Sequence, residues 1–480
     1  MPEERFDPAT GPFFSILFRA FDQHGVRYCG LHADGGLLYR TDFAVHPADR
    51  RKLGGVVLAL REQGYLAVQW LELESGRHRI SFARVVGTAS ETVTIDLVLR
   101  NSIATPVNQL LRGRRRESAF WRAMPEDEFD YLLSDASLRG AMSPLEAEQL
   151  KFLVGHLGPQ AAQERADRLF GRSWGKPVVA ACVSGFDAEL LANLRRNLRR
   201  RALARKPLLC VRSEIARWGI KLRARLARRG AFLVFLGPDG VGKTTMLRGV
   251  SSELAPLFPV QTIYRWRPAV FARAPRPARL PHSKPLRGTR GSILYLLFAW
   301  LDFMAGYVLT TRWVLAQGGL VIFDRYYHDL LVDPVRYRYA GPMWLIRALS
   351  NLVPPRRIFF LILDADEHTI LSRKQQLPVD EIRRQRALYR KFASEMPASV
   401  VVKTDRSVEG CRVEALQESF RYLSEQLARR NPVWFGVGQT VLHPHSLIPL
   451  SAAGDHARPE VPVRNATESL NCEGVLNPHR

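Results

Sequence analysis

The run Gly237-Pro238-Asp239-Gly240-Val241-Gly242-Lys243-Thr244-Thr245 constrains the fold of this chain more than any other segment. It matches G-x-x-x-x-G-K-[ST] in full and sits where that pattern has meaning. A continuous apolar run, Phe232-Leu233-Val234-Phe235-Leu236, precedes it, and Met246, Leu247, Val250 and Leu254 predict an amphipathic helix after it. Glycines let backbone N–H groups curl around phosphate oxygens, and the helix N-terminus adds the positive end of its dipole. Lys243 can bridge β- and γ-phosphates, and the Thr244 hydroxyl can hold Mg²⁺. The nucleotide-binding candidates are therefore Gly237, Asp239, Gly240, Val241, Gly242, Lys243, Thr244 and Thr245. ATP and Mg²⁺ are the expected cofactors.

The surrounding pattern predicts a doubly wound α/β domain over 231–430. Leu320-Val321-Ile322-Phe323 and Ile358-Phe359-Phe360-Leu361-Ile362-Leu363 repeat the apolar texture of strands buried on both faces, Val400-Val401-Val402 is a shorter candidate, and helices fill the intervals. Asp324-Arg325-Tyr326 falls at the carboxyl end of the second run, where such sheets place ligands. Asp324 can order the water shell of a metal, and Arg325 can hold a phosphate or an acceptor. After the third run come Arg373-Lys374, Arg383, Arg384 and Arg386, which read either as a lid of arginines over a transferring phosphoryl group or as one solvated helix face. A phosphate loop by itself serves kinases, GTPase switches and motors alike.

At 480 residues the chain is long enough for more than one domain. Residues 1–105 read as a small α/β domain, and 106–230 as a helical region ending in a basic linker, with Ser143-Pro144-Leu145-Glu146 a helix start. The last stretch, 431–480, rich in Pro, His and Gly, reads as a loosely ordered tail. Five scattered cysteines form no C-x-x-C pair, so neither a disulfide scaffold nor a zinc module is indicated, and a reducing cytoplasm fits. The acidic start Met1-Pro2-Glu3-Glu4 lacks the features of a secretory signal. The most apolar run, 293–309, is interrupted by Asp302 and reads as a buried helix.

The charge is distinctive: 70 Lys+Arg against 46 Asp+Glu give +24, which calls for an anionic partner. Residues 195–230 hold 14 Lys+Arg and one acid, and 261–301 hold eight Lys+Arg and none, so these two segments supply 21 of the surplus. That concentration is unlike the spread basic surface of a general nucleic-acid binder, and no specific nucleic acid is expected. The first segment is either a solvated helix face or a docking site for an anionic membrane. The expected location is the cytoplasm, with peripheral attachment at the inner face of the membrane as the corollary of docking.

Two resemblances organise these readings. Residues 231–430 resemble thymidylate kinase and the thymidylate-kinase-like P-loop kinases, on the phosphate loop, on Asp324-Arg325-Tyr326 and on the arginine-rich segment 373–389. The resemblance implies ATP-dependent phosphoryl transfer to a nucleoside monophosphate, with Asp239 approaching the acceptor's sugar and Asp324 and Arg325 beside its phosphate. The loop contains no arginine, so a lid donor is implied, with Arg373, Arg383, Arg384 and Arg386 as candidates; a homodimer is also compatible. The chain departs from the family at Arg265-Trp266-Arg267-Pro268, where the family usually reads Arg-Glu-Pro, and in the cationic stretch that follows. A larger or more anionic acceptor would suit that change. Phe298, Trp300, Phe303 and Tyr307 could stack a base or build core, and Asp302 could give the pocket polarity.

Residues 13–99 more loosely resemble the minimal nucleotidyltransferase fold, through Tyr28-Cys29-Gly30-Leu31, Thr41-Asp42-Phe43-Ala44-Val45 and Thr94-Ile95-Asp96-Leu97. Two-metal transfer needs two carboxylates at alternate positions of one strand and a third from a neighbour. Asp42 and Asp96 supply the first and third, Ala44 stands at the second, and Asp34 suits a turn, so a degenerate domain is expected. Two rivals to nucleotide phosphorylation stay open: a kinase acting on a carbohydrate or lipid-linked acceptor in surface-polysaccharide synthesis, and a non-catalytic ATP-binding switch.

Overall fold

A computed structural model describes residues 11–431, apart from 32, 35–36, 39–41, 74–76, 100–104, 118, 206, 209, 212–213, 216–217, 220–228, 272–284 and 375–376. The tail 431–480 thus lies outside the described residues beyond Asn431.

The chain opens with α1 (Pro12–Gln23), whose Pro12 stands in the first turn and whose Phe13, Phe14, Leu17, Phe18 and Phe21 recur on one face. These rings bury against β1 (Tyr28–Gly30): Phe18 stacks on Tyr28 with centroids 5.9 Å apart, and Phe21 lies 4.5 Å from the same ring. Each fully buried side chain of this size contributes on the order of 1.5–3 kcal/mol. Short β2 (Ala33–Asp34) and β3 (Leu37–Leu38) form a hairpin, followed by β4 (Asp42–Val45). A 3₁₀ turn, Pro47–Lys52, then runs into α2 (Leu53–Glu62). Then come β5 (Leu66–Glu72), β6 (Arg77–Val86) and β7 (Ala89–Val98).

The stretch from 106, read as a helical region, is mostly helical and also contributes β8 (Arg115–Glu117) and β9 (Phe120–Arg122), the latter pairing parallel with β1 through Gly30 and Arg122. β8 is short and charged, so its strand character comes from tertiary pairing rather than propensity, whereas Phe120 and Trp121 suit β9 to a strand. The result is a seven-stranded mixed sheet of order β5-β6-β7-β4-β1-β9-β8. Helices Pro125–Arg139, Pro144–Leu157, Pro159–Phe170, Gly175–Ser184 and Ala188–Arg205 cluster beside it, with Phe129, Leu150, Leu153, Phe170 and Leu194 sharing a core with Cys29 and Ala44. Ser143 and Glu146 form a reciprocal capping box at the second of these helices.

The second sheet is entirely parallel, of order β11-β12-β10-β13-β14, with β10 (Ala231–Leu236), β11 (Gln261–Arg265), β12 (Leu320–Asp324), β13 (Phe359–Asp364) and β14 (Ser399–Lys403). Leu233, Phe235, Leu361 and Leu363 face one core, and Phe232, Val234, Phe360 and Ile362 the other, as expected where helices cover both faces. Adjacent β12, β10 and β13 end in Asp324, in the phosphate loop and in Asp364, so one edge of the sheet gathers the chemistry. The helix Val408–Arg430 joins the sheets: Phe420 and Leu423 enter the core of the second, and Leu427 and Ala428 that of the first.

The apolar run 293–309 is not the buried helix its composition suggests. It lies in Thr289–Ala316, which is long and apolar enough to cross a membrane by length and composition. Leu296, Ala299, Asp302 and Phe303 face the sheet, whereas Leu294 and Leu301 are more than half exposed.

Candidate nucleotide and acceptor site

The phosphate loop adopts a conformation that its residue types require. Gly237 has φ 144°, and a Cβ there would fall 2.5 Å from the carbonyl oxygen of Leu363. Gly240, at φ 88°, would meet the carbonyl of Ile370 at 3.0 Å. Gly242 caps the helix Lys243–Leu254, Val241 is fully buried, and the Thr404 hydroxyl donates to the Val241 carbonyl at 2.8 Å, tying the loop to the end of β14. Lys243 folds back on the loop, its Nζ donating to the carbonyls of Gly237 (2.8 Å) and Pro238 (2.6 Å). Burial, reinforced by neighbouring Arg325, pushes this ammonium down to about 7. Thr244 and Thr245 are exposed at the helix start.

Asp239 is the centre of a cationic cluster. Its carboxylate pairs with Arg325, with Arg336 at 2.7 Å, with Lys374 at 3.6 Å and with Lys243 at 3.7 Å. Burial opposes its charge, but Arg325, Lys243 and Arg336 together hold the carboxyl well below its usual range. Arg325 is buried and takes φ 70° just after β12, with its N–H donating to the Phe235 carbonyl at 3.0 Å. Its other Nη reaches Asp329 at 2.6 Å. Asp329, fully buried, also accepts from the hydroxyls of Tyr337 (2.7 Å) and Tyr389 (2.5 Å). Sequence reasoning leaves out Arg336 and does not assign Lys374 a place at the loop. The Tyr337 partner of Asp329 is equally invisible, because no local pattern marks these residues.

Asp324 stands on the strand next to the loop. Among the described residues its buried Oδ1 has no hydrogen-bond partner. A buried carboxylate oxygen without a donor is what a metal ion or its bound water would satisfy. Asp324 therefore fits a place beside a metal's bound water, while Thr244 stands exposed at the start of the helix after the loop.

The four lid candidates part company. Arg373 donates to the Thr404 carbonyl at 2.9 Å, and its Nη1 lies 3.9 Å from where a Cβ of Gly242 would be, so it borders the phosphate loop. Arg383 is 65% exposed and pairs with Asp380 (3.2 Å) and Glu367 (3.9 Å). Arg384 is held by Glu381 at 2.7 Å, and Arg386 by Asp364 (2.8 Å) and Glu367 (2.6 Å).

Beyond β11, fully buried Asp302 accepts from Arg267 Nη1 (2.8 Å) and from the backbone N–H groups of Ala269 (2.9 Å) and Phe271 (3.0 Å). It clamps the segment after β11 instead of lending its charge to a pocket. Trp266, at φ 59°, stacks on Tyr337 with a 4.6 Å centroid distance. Of the four helix aromatics, Phe303 and Tyr307 are core, Trp300 packs partly buried against it, and Phe298 is partly exposed with the Arg267 guanidinium 5.4 Å from its ring.

In the first sheet, Asp42 and Asp96 are register partners on parallel β4 and β7, and Ala44 pairs with Val98. The space between the carboxylates is taken by an arginine. Arg77, on β6, contacts Asp42 at 2.5 Å, Asp96 at 3.4 Å and Asp135 at 3.4 Å, while Arg79 makes two 2.9 Å bonds to Asp96. These residues do not fit a metal pair, because guanidinium groups already neutralise the carboxylates that would ligate it. The side chain of Asp34 lies outside the described residues.

No family model matches the chain, and no curated protein matches it. Among solved structures, a thymidylate kinase from Ehrlichia chaffeensis is similar at 20% identity and a TM-score of 0.29, over 39% of this chain and 97% of that one.

Proposed function

We propose that this protein is an ATP- and Mg²⁺-dependent phosphotransferase that moves the γ-phosphoryl group of ATP to a nucleoside monophosphate or a similar anionic acceptor. The observation that supports it best is the adjacency of a complete phosphate loop to the Asp239–Arg325–Arg336 cluster. An acceptor oxygen forms a bond to the γ-phosphorus, the bond from phosphorus to the β–γ bridging oxygen breaks, and ADP leaves. Lys243 exchanges its loop carbonyls for phosphate oxygens of the donor. Arg373 borders the loop and would offset charge on the transferring group. Lys243, Arg325, Arg336 and Lys374 surround Asp239, a local surplus of positive charge suited to an acceptor phosphate. Bound Mg²⁺, held by Thr244 and the water shell of Asp324, would supply charge neutralisation on the donor phosphates.

The test is an acceptor screen with purified protein, comparing dTMP, other nucleoside monophosphates and phosphorylated sugars, with ADP release as readout. Saturable turnover of dTMP supports the nucleotide reading. Turnover confined to a phosphorylated sugar favours the carbohydrate alternative, which the cationic segment 261–301 motivates. ATP binding with no acceptor-dependent release overturns both in favour of a switch.

A further inference from the structure

The largest share of the charge surplus, 195–230, makes none of the contacts described at the phosphate site. In its second half the described residues 207–208, 210–211, 214–215 and 218–219 are helical. Leu208, Val211, Ile215 and Trp218 follow one another at intervals of three, four and three, the sequence spacing of one helix face. All four are exposed, at 85%, 54%, 67% and 66%, and Leu203 before them at 55%. Single exposed apolar residues are ordinary on a soluble surface, whereas a helical row ending in tryptophan marks a surface built to be covered.

Three occupants could cover it, and the charges discriminate between them. The segment holds 14 Lys+Arg, and its single acid, Glu214, lies 3.6 Å from Arg199. A second copy would set one basic row against another, which is repulsive at helix spacing. A nucleic acid would match the charge and leave the Leu-Val-Ile-Trp face in water. An anionic lipid surface satisfies both: the apolar face enters the headgroup and acyl boundary, tryptophan favours that depth, and the arginines meet the phosphates. We propose that this segment docks the protein in the plane of an anionic bilayer surface. The claim is independent of the phosphotransfer reading, since it uses none of the same residues.

The experiment is co-sedimentation of the full chain with vesicles of phosphatidylcholine alone or mixed with phosphatidylglycerol, at low and high salt. Binding should require phosphatidylglycerol, weaken with salt, and fall by about tenfold or more in Ile215→Glu/Trp218→Glu, whose exposed positions leave the fold unstrained. Arg199→Gln/Arg200→Gln should weaken binding in the same direction, and Lys243→Ala should bind as the parent does. Three results would overturn the proposal: undiminished vesicle binding by the double glutamate variant, equal binding to neutral vesicles, or no vesicle binding at all. In the last case, self-association abolished by the glutamates would identify a second copy as the occupant. Salt-sensitive binding of DNA or RNA that the glutamates leave intact would identify nucleic acid.

Discussion

Arg325 ties Asp239 of the phosphate loop to Asp329, four residues further along its own segment, and does so from a left-handed backbone conformation. One guanidinium thus sets the position of the loop carboxylate relative to the end of β12. Replacing it takes the guanidinium from fully enclosed Asp329 and removes one of the four cations around Asp239. Arg325→Met should therefore destabilise the fold by about 3–5 kcal/mol, measured by urea unfolding. It should also lower acceptor-dependent ADP release by about 100-fold or more. Unchanged stability in this variant would show the pair to be dispensable for the loop's geometry.

Lys243 has a different balance of roles. Its hydrogen bonds go to two loop carbonyls, and burial already lowers its affinity for a proton. Lys243→Ala should thus reduce phosphoryl transfer by about 10²–10³-fold or more, with thermal stability close to that of the parent. Calorimetry of the variant and single-turnover ADP release separate the two effects. Retained transfer would defeat the kinase assignment.

The arginine between Asp42 and Asp96 gives a third test. Arg77 touches three carboxylates from β4, β7 and the helix Pro125–Arg139. In Arg77→Ala those carboxylates repel one another at neutral pH, and unfolding should cost about 3–5 kcal/mol less than in the parent. The deficit should shrink as pH falls and the carboxyls protonate, and divalent cations should raise the melting temperature of the variant by more than that of the parent. A scan of melting temperature against pH and Mn²⁺ reads both; a deficit that ignores both would mean that Arg77 acts by packing alone.

These three residues differ in how far the sequence reveals them. Lys243 is legible because the glycine spacing, the apolar strand before it and the helix after it all lie within one short segment. Strands β10, β12 and β13 are legible for a related reason, since burial on both faces leaves an unbroken apolar run. Edge strand β11 lacks such a run, and its residues are only partly covered. Arg336 meets Asp239 across 97 residues, and Arg77 meets Asp42 across 35, so neither partnership leaves a local trace. The same holds for Asp302: composition flags a carboxylate on an apolar helix, and only the fold shows that backbone N–H groups beyond β11 saturate it.

His328 supplies a pH dependence whose direction follows from its surroundings. The ring is buried against Tyr326, Phe360 and Phe392, its Nδ1 has no partner among the described residues, and burial pushes the imidazole down to about 4. In the unfolded chain the same group takes its proton near about 6.5. Between these values the unfolded state binds the extra proton, so lowering the pH favours unfolding. The stability held by neutral His328 is complete above about 6.5 and declines as pH falls toward about 4, by roughly 3 kcal/mol over the window. His328→Phe keeps an aromatic ring in the cluster and removes the titration. Urea unfolding across this pH range should give a shallower dependence in the variant, by about one proton. Parallel curves for the two proteins would mean that the imidazole is already solvated, and that the acid sensitivity of the domain arises at other groups.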